Sequence, residues 1–225
     1  MTTIYSYLLS CVEEEYTTRK TIKNSERGSV SLLQNKQNGT RLIFRHYRGN
    51  GEVYRKLLGV SCPNLPQILE AAESDGMVAV LEEYIQGDPL DFLLEGALFT
   101  PEEARCITLQ LCNALWVLHS LGAVHRDIKP ENVIIRGSEA VLIDFDASRI
   151  FKNESCGDTQ ILGTTGYAAP EQYGIAQTDQ RSDIYSLGVL LNIMLTGKLG
   201  RIVQKCTMVN PKKRYKNVLY LMEAL

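Results

Sequence analysis

The sequence predicts an α+β chain of two lobes, a small β-rich lobe followed by a larger, mostly helical one. Three observations carry this. Residues 16–46 are rich in Thr, Val, Ile, Leu and Arg and are broken by two turn signals, NSERG at 24–28 and NKQNG at 35–39. Residues 104–118 place apolar side chains at three- and four-residue intervals. Segments that read as strands gather early in the chain and segments that read as helices gather late, the order of an α+β protein rather than of alternating βαβ units.

Residues 16–46 predict three short antiparallel strands, since β-prone stretches separated by Asn- and Gly-containing turns fold back on one another. GEVYRKLLG at 51–59 predicts a helix with Val53, Leu57 and Leu58 on one face, ended by Pro63 and Pro66. MVAVLEEYI at 77–85 has the unbroken apolar run of a buried strand and leads into the turn QGDP. A lobe boundary is expected there, giving residues 1–87 and 88–225.

Thr100 and Pro101, followed by two glutamates, form a helix start: the threonine caps the first turn, where proline's missing N–H costs nothing. Ala104, Ile107, Leu111, Leu115 and Leu118 then recur along one face of a long helix ending near Gly122. NVII at 132–135 and AVLIDF at 140–145 predict two short strands, and helices are expected at 182–196, 200–208 and 215–224.

The 24 basic and 26 acidic side chains are mixed along the chain and leave a formal net charge of -2, so no field of one sign invites nucleic acid or anionic lipid. Six cysteines at irregular spacing, with no C-x-x-C pair, argue against a zinc site or a disulfide framework and fit a reducing cytosol. The first residues, MTTIYSYLLSCVEEEY, lack a basic n-region, and their short apolar run meets three glutamates, which makes a poor signal peptide. No segment reaches the roughly 18 apolar residues of a membrane span. The expectation is a soluble, cytoplasmic protein.

Three strings stand out: HRDIKPEN at 125–132, DFD at 144–146 and GTTGYAAPE at 163–171. Through them the chain resembles the eukaryotic-type (Hanks-type) serine/threonine protein kinases, in the style of small bacterial members, from about Tyr16 to Leu225. The resemblance implies a bilobal protein-kinase-like fold with a shortened C-lobe, the cofactors ATP and Mg2+, and a protein substrate with a Ser or Thr acceptor. Phosphoryl transfer needs a carboxylate near the attacking hydroxyl, cations near the phosphates and oxygen ligands for magnesium.

By resemblance Asp127 orients or deprotonates the substrate hydroxyl and Lys129 neutralises charge on the transferring group. Asn132 and Asp144 are the magnesium ligands, and Thr164 touches Asp127 and Lys129. Glu171 is expected to pair with Arg214, and Asp183 to anchor the catalytic loop, both as architecture. Arg126, beside the catalytic aspartate, implies control by phosphorylation of the activation segment, through an activating partner or self-phosphorylation. Ser155, Thr159 and Thr165 are candidate acceptors.

The nucleotide-holding part departs from the pattern. Gly28 alone remains of three lid glycines, with Val30 at the position that covers the base. The strand that should read V-A-x-K reads LIFR, so Ile43 stands for the alanine and Arg45 for the lysine, with Glu52 as its expected ion-pair partner. Glu83, Tyr84 and Ile85 match the hinge that bonds adenine, preceded by an unusually polar Glu82, and Ile134 completes the nucleotide contacts. Asp146 replaces the glycine of DFG, and a helix with its loops is missing after LTGK at 195–198. Two functions stay open: an active serine/threonine kinase, and a pseudokinase acting as a binding or regulatory module.

Overall fold

The computed structural model describes residues 3–96, 99–151, 164–173, 178–195 and 200–225. The chain divides into two compact units, one running to Cys62 and resuming over Pro66–Ile85, the other made of Pro63–Leu65 and Gln86–Leu225.

The first unit opens with a helix the sequence reading did not anticipate, α1 (Ile4–Glu15). Thr3 caps it: its hydroxyl accepts the Ser6 N–H at 3.1 Å while Ser6 Oγ accepts the Thr3 N–H at 2.9 Å. Strands β1 (Tyr16–Ser25), β2 (Gly28–Asn35) and β3 (Arg41–Arg48) follow as expected, antiparallel and in sequence order. Next comes α2 (Glu52–Leu57), which buries Val53, Tyr54 and Leu57. Leu58, expected on that face, is 37% exposed because the backbone has already left the helix there, at φ -57° and ψ 127°.

Strand β4 (Ile68–Ser74), also unanticipated, pairs antiparallel with β5 (Met77–Glu83). Asp75 and Gly76 between them both have positive φ, 52° and 72°, the backbone of a tight hairpin turn whose twist matches its strands. The sheet order is β1-β2-β3-β5-β4. One face packs Leu33, Leu42, Ala79, Leu81 and Ala72 against Tyr5, Leu8, Leu9 and Val12 of α1. Because side chains alternate along a strand, Val30, Ile43, Arg45 and Glu82 all fall on the opposite face.

The second unit begins with β6 (Asp88–Pro89) and α3 (Leu90–Gly96), then the long α4 (Pro101–Ser120). Thr100 and Glu103 form the capping box at its start, and all five predicted core positions from Ala104 to Leu118 are buried. Short strands β7 (Ala123–Val124), β8 (Val133–Arg136), β9 (Glu139–Leu142) and β10 (Arg149–Ile150) make two small sheets, β6-β8-β9 and β10-β7. Helices α5 (Gln180–Leu195), α6 (Gly200–Cys206) and α7 (Val218–Ala224) complete it. Pro63–Leu65 joins this unit through Asn64, whose side-chain amide donates to Ala140 O at 2.9 Å and whose carbonyl accepts the Leu142 N–H at 3.0 Å. Among the described residues no helix is long and apolar enough to cross a membrane.

Candidate active site

In the second unit, the loop between β7 and β8 is pinned from below by one carboxylate. Asp183, in the first turn of α5 and fully buried, accepts the His125 N–H at 2.9 Å on Oδ2 and the Arg126 N–H at 2.8 Å on Oδ1. His119 Nε2 lies 2.8 Å from the same Oδ2. Burial by itself would raise the Asp183 carboxyl, but the His119 contact, the nearby His125 ring and the Arg126 N–H outweigh it and hold the group below its usual range. Arg126 has a φ of 71°, a conformation that disfavours a side chain and that these bonds hold in place.

The His125 ring is buried and meets Phe145 edge-on, with centroids 5.5 Å apart. Its Nδ1 accepts the Asp127 N–H and its Nε2 faces the Ile143 carbonyl, each at 3.3 Å, which is the neutral tautomer with the proton on Nε2. Burial lowers its pKa, outweighing the pull of Asp183, Asp127 and Asp144 in the other direction.

Above this base stand the five side chains that the resemblance grouped. Thr164 Oγ1 donates to Asp127 Oδ1 at 2.7 Å and accepts from Lys129 Nζ at 2.9 Å. Lys129 Nζ also lies 3.1 Å from Asp127 Oδ2, with the two side chains 21% and 17% exposed. Asn132 Nδ2 donates to the Asp127 carbonyl at 2.8 Å and to its Oδ2 at 3.0 Å. With the amide nitrogen committed to Asp127, the Oδ1 end of Asn132 faces elsewhere. Asp144, at φ 69°, is half-buried, and its Oδ1 accepts the Asp146 N–H at 3.3 Å. The oxygen ends of Asn132 and Asp144 have the hard-donor chemistry that magnesium takes. Among the described residues no group of three or more His, Cys, Asp or Glu side chains forms a metal site of its own.

The strip from Thr164 to Tyr173 is tied down behind these groups. Gln172, buried, donates to the Arg126 carbonyl at 2.7 Å and accepts the Ala169 N–H at 3.0 Å. Arg214 forks onto Glu171 with bonds of 2.6 and 2.9 Å. Thr165 is exposed, whereas Ser155 and Thr159 lie outside the described residues. Ile134 sits half-buried on β8, paired with Pro89 and Val141.

A family model described as the protein kinase domain matches residues 12–217. The chain belongs to the protein kinase family. It is 35% identical over 153 residues to serine/threonine-protein kinase pkn2 of Myxococcus xanthus, a stretch covering 64% of the chain and 18% of that relative. To serine/threonine-protein kinase D of Synechocystis it is 34% identical over 173 residues, covering 73% of the chain and 33% of the relative. With the probable serine/threonine-protein kinase PknB of Corynebacterium glutamicum the identity is 36% over 124 residues, 53% of the chain and 19% of the relative. The chain therefore spans a third or less of the length of these kinases.

Set beside the kinase pattern, two expected residues of the first unit have neighbours of their own. Glu52, expected to pair with Arg45, sits at the start of α2 with its N–H on Asn50 Oδ1 and makes no ion pair among the described residues. A carboxylate that does meet Arg45 is Glu82 of β5, 2.7 Å from Nε. Gly28, taken as the survivor of a phosphate-cradling lid, has a packing reason of its own. A Cβ there would lie 2.3 Å from the His46 carbonyl oxygen and 2.4 Å from Tyr47 Cα, so β2 and β3 approach too closely for any side chain. The β1–β2 ladder runs on to the Ser25–Gly28 pair and closes in a two-residue turn rather than an open glycine loop.

Val30 is buried opposite Arg45, and Ile43 is buried opposite Glu82. At the end of β5 the Glu83 N–H bonds the Gln67 carbonyl at 2.9 Å, and Ile85 is buried. His119, Gln172 and Glu82 are the participants that sequence reasoning did not assign. His119 and Gln172 each lie close to a recognisable motif, yet their partners are 64 and 46 residues away in sequence.

Proposed function

We propose that the chain is an active serine/threonine protein kinase that moves the γ-phosphoryl group of ATP to a Ser or Thr hydroxyl of a protein. The assembly of Asp127, Lys129, Thr164 and Asn132 around one carboxylate carries this proposal. Asp127 accepts the proton of the attacking hydroxyl as the new O–P bond forms and the bond to the ADP oxygen breaks. Thr164 and Asn132 hold that carboxylate in one orientation, and Lys129 stabilises charge on the moving group. Magnesium supplies charge neutralisation on the phosphates when bound, and Asn132 and Asp144 are the residues that would hold it. Arg45 is assigned to the phosphates, Val30, Ile134, Glu83 and Ile85 to the nucleotide base, and the Thr164–Glu171 strip to the protein substrate.

Exposed Thr165, beside Thr164, is the described candidate for self-phosphorylation or for an activating partner. The five described cysteines are free thiols, which suits a reducing, cytoplasmic setting. A pseudokinase is the second reading, favoured by the closed β1–β2 turn and by Arg45 being already engaged with Glu82.

Incubation of wild type and Asp127→Asn with labelled ATP, magnesium and a basic protein decides between them. Transfer by wild type, reduced about 10²–10⁴-fold in the variant, supports catalysis. Absence of transfer together with absence of an ATP-dependent thermal shift rejects it in favour of the binding module.

A further inference from the structure

The pairing between β3 and β5 puts Ile43 opposite Glu82 and Arg45 opposite Val80. Arg45 and Glu82 are therefore diagonal neighbours on one face, within reach of long side chains. They meet at 2.7 Å from Nε to Oε1, with only 5% and 3% of the two side chains exposed. Seven consecutive pairs from Leu42–Glu83 to Arg48–Met77 fix this register, and β3 is locked on its other edge by β2. The ladder therefore sets the two Cα positions, and the reach between the two side chains does not depend on where α2 sits.

A protein kinase ordinarily pairs its strand cation with a carboxylate on a helix, and the position of that helix controls whether the pair forms. Here the helix carboxylate, Glu52, stands apart from Arg45, and the sheet supplies its own. A buried ion pair is often no more stabilising than two apolar side chains of similar size, so stability alone is a weak reason for two charges at this place. The identity of the cation fits the arrangement. Arginine can give its Nε–H to Glu82 and still carries four N–H donors on its two Nη nitrogens, whereas the single ammonium of a lysine would be drawn to the carboxylate entire.

We propose that Glu82 is the positioning residue for Arg45, so that the phosphate-holding cation is set by the sheet itself, independently of α2 and of Glu52. The proposal rests on the kinase reading above and deepens it: this nucleotide arm has no helix-driven switch.

The test uses the full chain as wild type, Glu82→Gln, Glu52→Gln, Arg45→Lys and the double variant Glu82→Gln/Arg45→Lys. Binding of a fluorescent ADP analogue with magnesium is titrated for each, and KM for ATP and kcat are measured beside it. Glu82→Gln is expected to weaken ADP binding about tenfold or more, the effect of losing one charge-assisted hydrogen bond, with KM rising more than kcat falls. Glu52→Gln stays within about twofold of wild type, as for an unpaired surface carboxylate. The double variant binds more tightly than Arg45→Lys alone, because its ammonium is no longer claimed by a carboxylate. A loss in Glu52→Gln equal to that in Glu82→Gln, or tighter binding by Glu82→Gln, overturns the proposal while leaving the kinase reading intact. Wild type that binds no ADP overturns both. Glu82-dependent binding without Asp127-dependent transfer overturns the kinase reading alone.

Discussion

Replacing Arg214 by methionine probes what holds the Thr164–Tyr173 strip to the helices behind it. Arg214 is 4% exposed and makes five hydrogen bonds: two to the Glu171 carboxylate, and one each to the carbonyls of Arg181 at 2.9 Å, Met208 at 2.7 Å and Val209 at 3.2 Å. Methionine fills much of the volume and makes none of these bonds. Glu171 would be left as a buried carboxylate with the Ser182 hydroxyl at 2.8 Å as its remaining side-chain donor. Removing one partner of a buried pair costs about 3–5 kcal/mol, and the three carbonyls that also lose a donor place Arg214→Met at the upper end of that range. At roughly 2–4 °C per kcal/mol for a chain of this size, the thermal midpoint falls by about 10–20 °C.

Glu171→Gln, which keeps shape and removes charge, costs less, about 2–3 kcal/mol. The double variant Glu171→Gln/Arg214→Met is destabilised by less than the sum, with a coupling of about 1–3 kcal/mol. Differential scanning calorimetry of the four proteins measures the cycle. Acid adds an independent check. Burial favours the protonated form of Glu171, but Arg214, a backbone N–H and Ser182 outweigh it and hold the carboxyl below its usual range. Its contribution is then complete above the unfolded value of about 4.3 and lost as pH falls through the lower folded value, so wild type and Glu171→Gln converge in acid. A midpoint shift under about 3 °C in Arg214→Met, or strictly additive effects, refutes a buried pair that anchors the strip.

Thr164→Val, which removes the hydroxyl between Asp127 and Lys129, is expected to lower kcat about 100-fold, while Thr164→Ser retains most of it; steady-state kinetics of the two variants decide. Gly188→Ala should destabilise, although alanine normally gains about 1 kcal/mol over glycine inside a helix. The new Cβ would lie 2.3 Å from Cys206 Cβ, so Cys206→Ala gives no relief and Cys206→Gly does, as read by urea denaturation. For His125 the folded pKa lies below the unfolded value of about 6.5, so the unfolded chain takes up the proton first and stability falls as pH drops below that value. Denaturation at pH 7.5, 6.5 and 5.5 should show that slope in wild type and a flatter one in His125→Phe.

What was legible in the sequence was whatever is encoded within a few residues. The first three strands are bounded by their own turns, and α4 announces itself by its cap and its periodicity. HRDIKPEN places Asp127, Lys129 and Asn132 in one loop, and the structure gathers them around a single carboxylate. What escaped depends on partners elsewhere. ILEAAES of β4 has the Leu, Glu and Ala composition of a helix, yet it is a strand because β5 and a tight turn pair it. α1 carries Tyr5, Leu8, Leu9 and Val12 at helical spacing, but what makes it a stable element is the sheet face it covers. Glu82 read as an odd polar residue in an apolar run, and its meaning appeared only when the β3–β5 register set it diagonally beside Arg45 on one face.

Three aspartates near the catalytic loop show how burial rather than residue type sorts structural from chemical roles. Asp183 is wholly enclosed and bonded to two backbone N–H groups and the His119 ring, so its charge is committed to geometry. Asp127 is 17% exposed, and its carboxylate is held by an amide, a hydroxyl and an ammonium, donors that steer it without sealing it from a substrate. Asp144 is half-buried like Asp127, in a conformation with positive φ that turns the chain directly after β9. The same principle separates the two cations. Lys129 remains partly open beside Asp127, while Arg45 is enclosed with its Nε–H on Glu82. Under the kinase reading proposed above, arginine rather than lysine suits this place because Glu82 takes only its Nε–H, whereas lysine has a single nitrogen to share.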